Sequence, residues 1–159
     1  MDRFREYALL PLRIMVGFGF AYHGYAKLAR GPEQFASILA AMGVPLPGPT
    51  AWVTALLEFF GGISVMLGAF VVPLSVPLIV VMTVAMLNVH LRYGFSSVRL
   101  QGVSSEGASF GPVGFEINLL YIAGLVTLAW SREQVWSVER WISSRLVLRR
   151  EQARARLAS

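Results

Sequence analysis

The sequence predicts an all-α integral membrane protein: a four-helix bundle with a short outer surface helix and a cytoplasmic amphipathic C-terminal helix. Three observations predict it. Of 159 residues, 55% are hydrophobic and 14% charged, whereas a soluble domain carries about 25% charged residues. Four stretches approach the length of about 20 apolar residues that crosses a bilayer as a helix. Lysine and arginine are distributed unevenly between the two sets of ends of those stretches.

The spans are expected at about residues 9–29, 50–70, 71–91 and 113–130. The first carries Arg13, His23 and Lys27 and is not followed by an A-x-A site, so it reads as a retained helix rather than a cleaved signal. Between the first two spans, Phe35, Ile38, Leu39 and Met42 recur at helical spacing within residues 33–43, which predicts a short amphipathic helix on the membrane surface. Residues 44–49, VPLPGP, then read as a rigid non-helical turn. Spans two and three nearly touch, which requires a very tight hairpin. Residues 92–112 hold five serines and four glycines and are expected to form a functional lid or a disordered loop. The division is therefore residues 1–131 as the transmembrane domain and 132–159 as an arginine-rich tail. In that tail Val135, Val138, Trp141, Ile142 and Leu146 mark one apolar face for an anionic lipid surface.

Four spans put both termini on one side. That side holds Arg3, Arg5, Arg13, Arg132, Arg140, Arg145, Arg149, Arg150, Arg154 and Arg156, ten cations against four (Lys27, Arg30, Arg92 and Arg99) on the other. The positive-inside rule then places the termini in the cytoplasm of a bacterial-type inner membrane. Trp130, Trp136 and Trp141 fit an inner aromatic belt and Trp52 an outer one. Arg13 is expected to snorkel to the inner surface.

This orientation gathers the ionisable residues. His23 falls about 9 Å and Glu58 about 12 Å below the outer ends of their spans, at 1.5 Å per residue. Lys27 lies one turn above His23. Asn88 and His90 end span three, and Glu116 and Asn118 open span four. Charges at such depth cost about 2.5–3.5 kcal/mol each, so they are expected to face inward and pair. His23, Glu58 and Glu116 are the candidate catalytic residues, and Tyr22, Tyr25, Lys27, Asn88, His90 and Asn118 the candidate substrate contacts. The bland reading of separate headgroup contacts stays open for His90, Lys27 and Glu116. A structural Glu58–Lys27 or Glu58–His23 pair stays open too. Small residues at Gly17, Gly19, Gly24, Gly61, Gly62 and Gly68 allow close helix approach or room for a flat ligand.

Residues 13–28, RIMVGFGFAYHGYAKL, and 57–62, LEFFGG, followed by Leu67 and Gly68, resemble the DoxX family of small four-helix membrane proteins. Softer matches are His90 to Phe95 and Gly114 to Glu116. The resemblance covers about residues 8–130 and leaves the tail outside it. It implies the fold strongly. It also implies association with a thiosulfate:quinone oxidoreductase or with membrane redox and detoxification assemblies, while related eukaryotic proteins act as assembly or cargo factors. The chain has no cysteine, so any thiol step belongs to a partner.

Three functions compete. The first is a redox subunit binding a quinone, whose oxygens His23 and His90 would hydrogen-bond while Glu58 or Glu116 accepts protons. Tyr22 and Tyr25 would offer phenols, and a redox partner protein would carry electrons. The second is haem or a metal on the two histidines and carboxylates, less favoured because no ligand pair shares a spacing motif. The third is an adaptor or assembly factor whose polar cluster only sets helix register. Lipid is the expected partner, homo-oligomerisation is open, and nucleic acid is not expected.

Overall fold

A computed structural model describes residues 7–131. The amphipathic tail and the cationic N-terminal residues Arg3 and Arg5 lie outside the described residues. Helix α1 spans Leu10–Arg30, α2 Pro32–Ala41, α3 Pro47–Leu67, α4 Val71–Ala85 and α5 Glu116–Trp130. A π-helical turn, Met86–His90, and a 3-10 turn, Leu91–Tyr93, prolong α4. Two short strands follow, β1 (Leu100–Ser104) and β2 (Gly107–Phe110).

Proline and glycine set most boundaries. Pro32 and Pro47 open α2 and α3, where a fixed φ and a missing N–H cost nothing. Residues 47–49 are therefore helical, and the turn expected over residues 44–49 is shorter, closing at Leu46 with a left-handed φ of 49°. Helix α3 ends at Gly68 (φ 67°), whose N–H donates to Val65 O at 3.0 Å while Ala69 N–H donates to Ser64 O at 2.8 Å. This is a Schellman closure, and it makes the predicted tight hairpin between α3 and α4.

The spans Pro47–Leu67 and Val71–Tyr93 are long and apolar enough to cross a membrane. Helix α5 is apolar but has 15 residues, about 22 Å against a hydrocarbon core of about 30 Å. Helix α1 has 21 residues, but Arg13, His23 and Lys27 lower its apolarity. Three hydroxyls inside the helices are satisfied locally: Ser75, Thr83 and Thr127 donate to the carbonyls of Val71, Ile79 and Ala123 at 2.7–2.8 Å. In lipid, a hydroxyl without an acceptor would cost several kcal/mol.

The core is one cluster fed by all four long helices: Val16 and Phe20 of α1, Val65 of α3, Val71 and Leu78 of α4, Leu125 and Leu128 of α5. The closest pair is antiparallel α1 and α3. A Cβ added to Gly17 would stand 2.6 Å from Gly62 O and meet Met66, while one on Gly24 would meet the backbone of Phe59 and Ala55. At these positions the glycines serve helix approach, not ligand room. Helix α5 packs on α1 through Gly124 against Val16 and through Tyr121, which meets Phe20 edge-on at 5.3 Å.

Two further expectations are corrected. Residues 92–112 form neither a bare lid nor a featureless loop; they contain the β1–β2 hairpin, with a two-residue turn between Ser104 and Gly107. Arg13 does not snorkel to the inner surface as expected: it is 4% exposed and lies on the same stripe of α1 as Val16, Gly17, Phe20 and Gly24. A residue at i, i+3, i+4, i+7 and i+11 shares one face of the helix, so the packing of α1 takes Arg13 inward.

Candidate functional site at the C-terminal end of the first helix

The site begins with the close approach of α1 to α3. Because Gly24 lets the two backbones meet near Ala55 and Phe59, Lys27, about one turn further along α1, comes beside Glu58 of that same turn of α3. Lys27 Nζ donates to Glu58 Oε2. The Glu58 side chain is 7% exposed and that of Lys27 21%. The carboxylate is thus sealed between helices, while the ammonium reaches the edge. Lys27 also lies 5.1 Å from the centre of the Phe35 ring, a cation–π contact from α2. Gly31, at φ 90°, makes the break that turns α2 back over this end of α1.

Between α1 and α2 opens a groove of about 270 Å³ lined by His23, Lys27, Arg30, Gln34, Phe35 and Ile38, with Ala26 and Gly31. His23 is one turn below Lys27 on α1, and both line the groove. The groove therefore pairs a polar wall from α1 with apolar side chains from α2. Arg30 and Gln34 are groove residues that the pattern of buried ionisable groups did not single out. The signal available for them was helical spacing alone: Arg30 is one turn above Lys27, and Gln34 precedes Phe35 on the face of α2 turned to α1.

The other candidates divide. His90 donates from Nδ1 to Val113 O at 3.0 Å, since a carbonyl only accepts. This bond spans the base of the loop between α4 and α5. Glu116 belongs to that loop as well: its Oε2 accepts from Ser97 N at 2.9 Å, and Ser97 Oγ accepts from Ile117 N at 3.2 Å. Glu116 thus holds the backbone N–H of Ser97, while the Ser97 hydroxyl holds the N–H of Ile117 in the first turn of α5, 20 residues along the chain. Asn118 is 2% exposed and holds Met82 O from Nδ2 at 3.4 Å, while its Oδ1 has no hydrogen-bond partner among the described residues. Asn88 bonds its own helix, Nδ2 to Val84 O at 2.9 Å. Tyr22 and Tyr25 are both exposed on α1, away from the α3 contact.

Lys27 and Glu58 are therefore brought together, and His23 lines the groove beside Lys27; His23 is exposed rather than turned inward to pair, a correction to the expected inward cluster. The hydrogen bonds of Glu116, Asn118 and Asn88 lead elsewhere. Among the described residues no three His, Asp, Glu or Cys side chains gather as a metal-holding group. The Lys27–Glu58 pair is the one foreseen as a structural possibility, and the groove beside it is what gives the pair a chemical setting. A cation and an imidazole at the groove wall can donate to or accept from an oxygen-bearing head group, and the aromatic and aliphatic wall can cover its ring.

Comparison with known proteins bears on the family of the chain. The DoxX family model matches residues 8–91, which hold α1 to α4, the groove and the Lys27–Glu58 pair. A Haemophilus influenzae protein described as an uncharacterized protein is 30% identical over 123 residues, covering 76% of this chain and 80% of the relative. No solved structure matches the chain. Since the family model takes in more than half of the sequence and every residue of the site, the chain belongs to the DoxX family of membrane proteins.

Proposed function

We propose that this protein crosses a bacterial inner membrane four times, with both termini cytoplasmic, and serves a membrane redox or detoxification system by holding a quinone or similar lipophilic molecule in the outer groove. The observation that carries this reading is the Lys27–Glu58 pair sealed between α1 and α3 at the edge of an amphiphilic groove. A groove of about 270 Å³ lies just below the usual range of about 300–1,000 Å³ for ligand pockets. It suits one ring, with an isoprenoid tail left in lipid. Lys27 and His23 offer hydrogen-bonding groups to ring oxygens, Phe35 and Ile38 cover the ring, and Glu58 holds Lys27 in place. A quinone, when bound, supplies the reversible two-electron, two-proton chemistry. This chain supplies the position and the proton-bearing groups, and a partner protein supplies electrons.

A second reading follows from the same pair. Glu58 is already neutralised by Lys27, as a simple register pair would be, which favours an adaptor or assembly factor with a structural cluster. Purified protein separates the readings. Extraction with organic solvent, followed by chromatography and an ultraviolet–visible spectrum, is expected to yield near-stoichiometric quinone under the first reading. Bulk phospholipid alone would support the second.

The topology has its own test. Reporters fused at Ser105 and Ser159 are expected to score on opposite sides of the membrane, with Ser159 inside, from the ten-to-four cation bias. An externally active reporter at Ser159 would reverse the orientation and place the groove on the cytoplasmic side.

A further inference from the structure

The β1–β2 hairpin has a two-faced character that the linear sequence conceals. In the register, Leu100 pairs with Phe110, Gly102 with Ser109, Val103 with Ala108 and Ser104 with Gly107, with an irregularity between Leu100 and Gly102. Paired residues share a face, and along unbulged β2 the face alternates. Phe110 and Ala108 therefore lie together, and their partners Leu100 and Val103 join them. The extra residue, Gln101, is what brings Leu100 and Val103, three positions apart, onto one side. The opposite face carries Gly102, Ser104, Gly107 and Ser109, whose hydroxyls bond across the hairpin: Ser109 Oγ to Gly102 O at 3.3 Å and Ser104 Oγ to Gly107 O at 3.4 Å.

No described residue covers the apolar side. Leu100 is 61%, Val103 75% and Phe110 58% exposed. An isolated two-stranded hairpin is at best marginally stable in water, and an apolar face needs something to lie on. The strands contain no charged residue, so covering that face buries no charge. The hairpin is also tied to the helix ends. Gly111 N donates to Arg99 O at 2.8 Å at its base, and the carbonyls of Gly94, Phe95 and Ser96 accept from Phe115, Glu116 and Gly114 at 2.9–3.1 Å. Five residues at about 3.3 Å each reach only about 17 Å. The face is thus held at the level where α4 and α5 leave the hydrocarbon, and there the apolar surface of Leu87, Leu91, Phe95 and Val113 is exposed as well.

We infer that the hairpin is a membrane-surface anchor: it lies flat in the outer interfacial layer, with Leu100, Val103, Ala108 and Phe110 against the acyl chains and the serine face toward water. This rests on α4 and α5 ending at a bilayer surface and not on what the groove binds. The absence of cysteine makes the test direct. Single variants Val103→Cys, Ser109→Cys and, as a reference on exposed Val80 of α4, Val80→Cys are labelled with an environment-sensitive fluorophore. Each is reconstituted in phosphatidylcholine vesicles containing lipids nitroxide-labelled at shallow and deep positions. The Val103 label is expected to be quenched by the lipid nitroxides about threefold more than the Ser109 label and to be shielded from aqueous iodide, as an apolar face sunk about 5–10 Å would be. Equal quenching of the Val103 and Ser109 labels overturns the anchor. So does protection of the Val103 label that grows with protein density and ignores lipid nitroxide, which would assign the face to a second copy. If the Val80 label is not quenched by lipid either, the membrane placement of α4 fails and the anchor falls with it. If Val80 is quenched and Val103 is not, the anchor alone fails.

Discussion

Lys27→Met is expected to destabilise the protein by about 3–5 kcal/mol, because it leaves the Glu58 carboxylate sealed between α1 and α3 with no cation. Glu58 is 5% exposed as a residue, and its hydrogen bond comes from Lys27. The reverse change is milder. In Glu58→Gln the amide keeps the shape, and the Lys27 ammonium, one-fifth exposed and beside the groove, turns toward the headgroup layer. The double variant Lys27→Met with Glu58→Leu removes both charges and is expected to recover most of the loss, since a buried ion pair is seldom better than a packed apolar one. Thermal unfolding in a mild detergent, read as a double-mutant cycle, measures each term. Should Lys27→Met melt with the wild type, the pair does not hold the helices together.

The second large effect is expected from one added methyl group. In Gly62→Ala the new Cβ would stand 2.6 Å from Gly17 O and 2.9 Å from Ala21 Cα. Both are backbone atoms, so no rotamer change relieves the clash. Helix α1 must move off α3, at a cost of about 3 kcal/mol or more, the upper part of the overpacking range. The displaced helix also loses the Lys27–Glu58 contact. Gly61→Ala, one residue earlier, is the control. Its Cβ would meet side-chain atoms of Leu78 at 3.5 Å and of Leu57 at 3.8 Å, both ordinary contacts, and replacing glycine by alanine in a helix favours the fold by up to about 1 kcal/mol. The pair of variants separates close helix approach from any general need for glycine here. Equal stability of the two would remove the close-packing account.

How much of this was legible in the sequence depends on the range of the interaction. The helices follow from apolar runs and from glycines and prolines at their ends, which are local signals. Burial of Glu58 follows from its place in the middle of LLEFF, and its pairing with Lys27 was one of two options open from depth alone. The choice between Lys27 and His23 depends on the rotation of α1 against α3. That rotation is set by Gly17 and Gly24 meeting Gly62 and Phe59, a tertiary fact. Burial of Arg13 follows from the same rotation. The exposure of Tyr22 and Tyr25 could have been read by placing Tyr22 on the side of α1 opposite Gly17 and Gly24 and Tyr25 on its flank.

Glu116 was harder to read. Its sequence position at the start of α5 fits both a buried acid and a cap. What decides is Ser97, on a distant part of the chain, whose N–H and hydroxyl complete the cap. The hairpin was hidden because one extra residue breaks the alternation by which strands are recognised: LQGVS carries its apolar residues three apart, not two. Pro47 is a different case. A proline just inside a helix start is a recognised opening signal, but three prolines within residues 45–49 read more readily as a turn.

The claim that the groove beside Lys27 and Glu58 binds a quinone-like head is tested most directly by ligand-dependent melting of the purified protein with a short-chain quinone. The wild type is expected to show a saturable rise in melting temperature, because a ligand that binds only the folded state stabilises it in proportion to the logarithm of its concentration over Kd. His23→Gln and Glu58→Gln are expected to melt near the wild type without ligand and to lose that rise. A wild type that shows no saturable rise, or a rise that survives unchanged in both variants, would contradict the account.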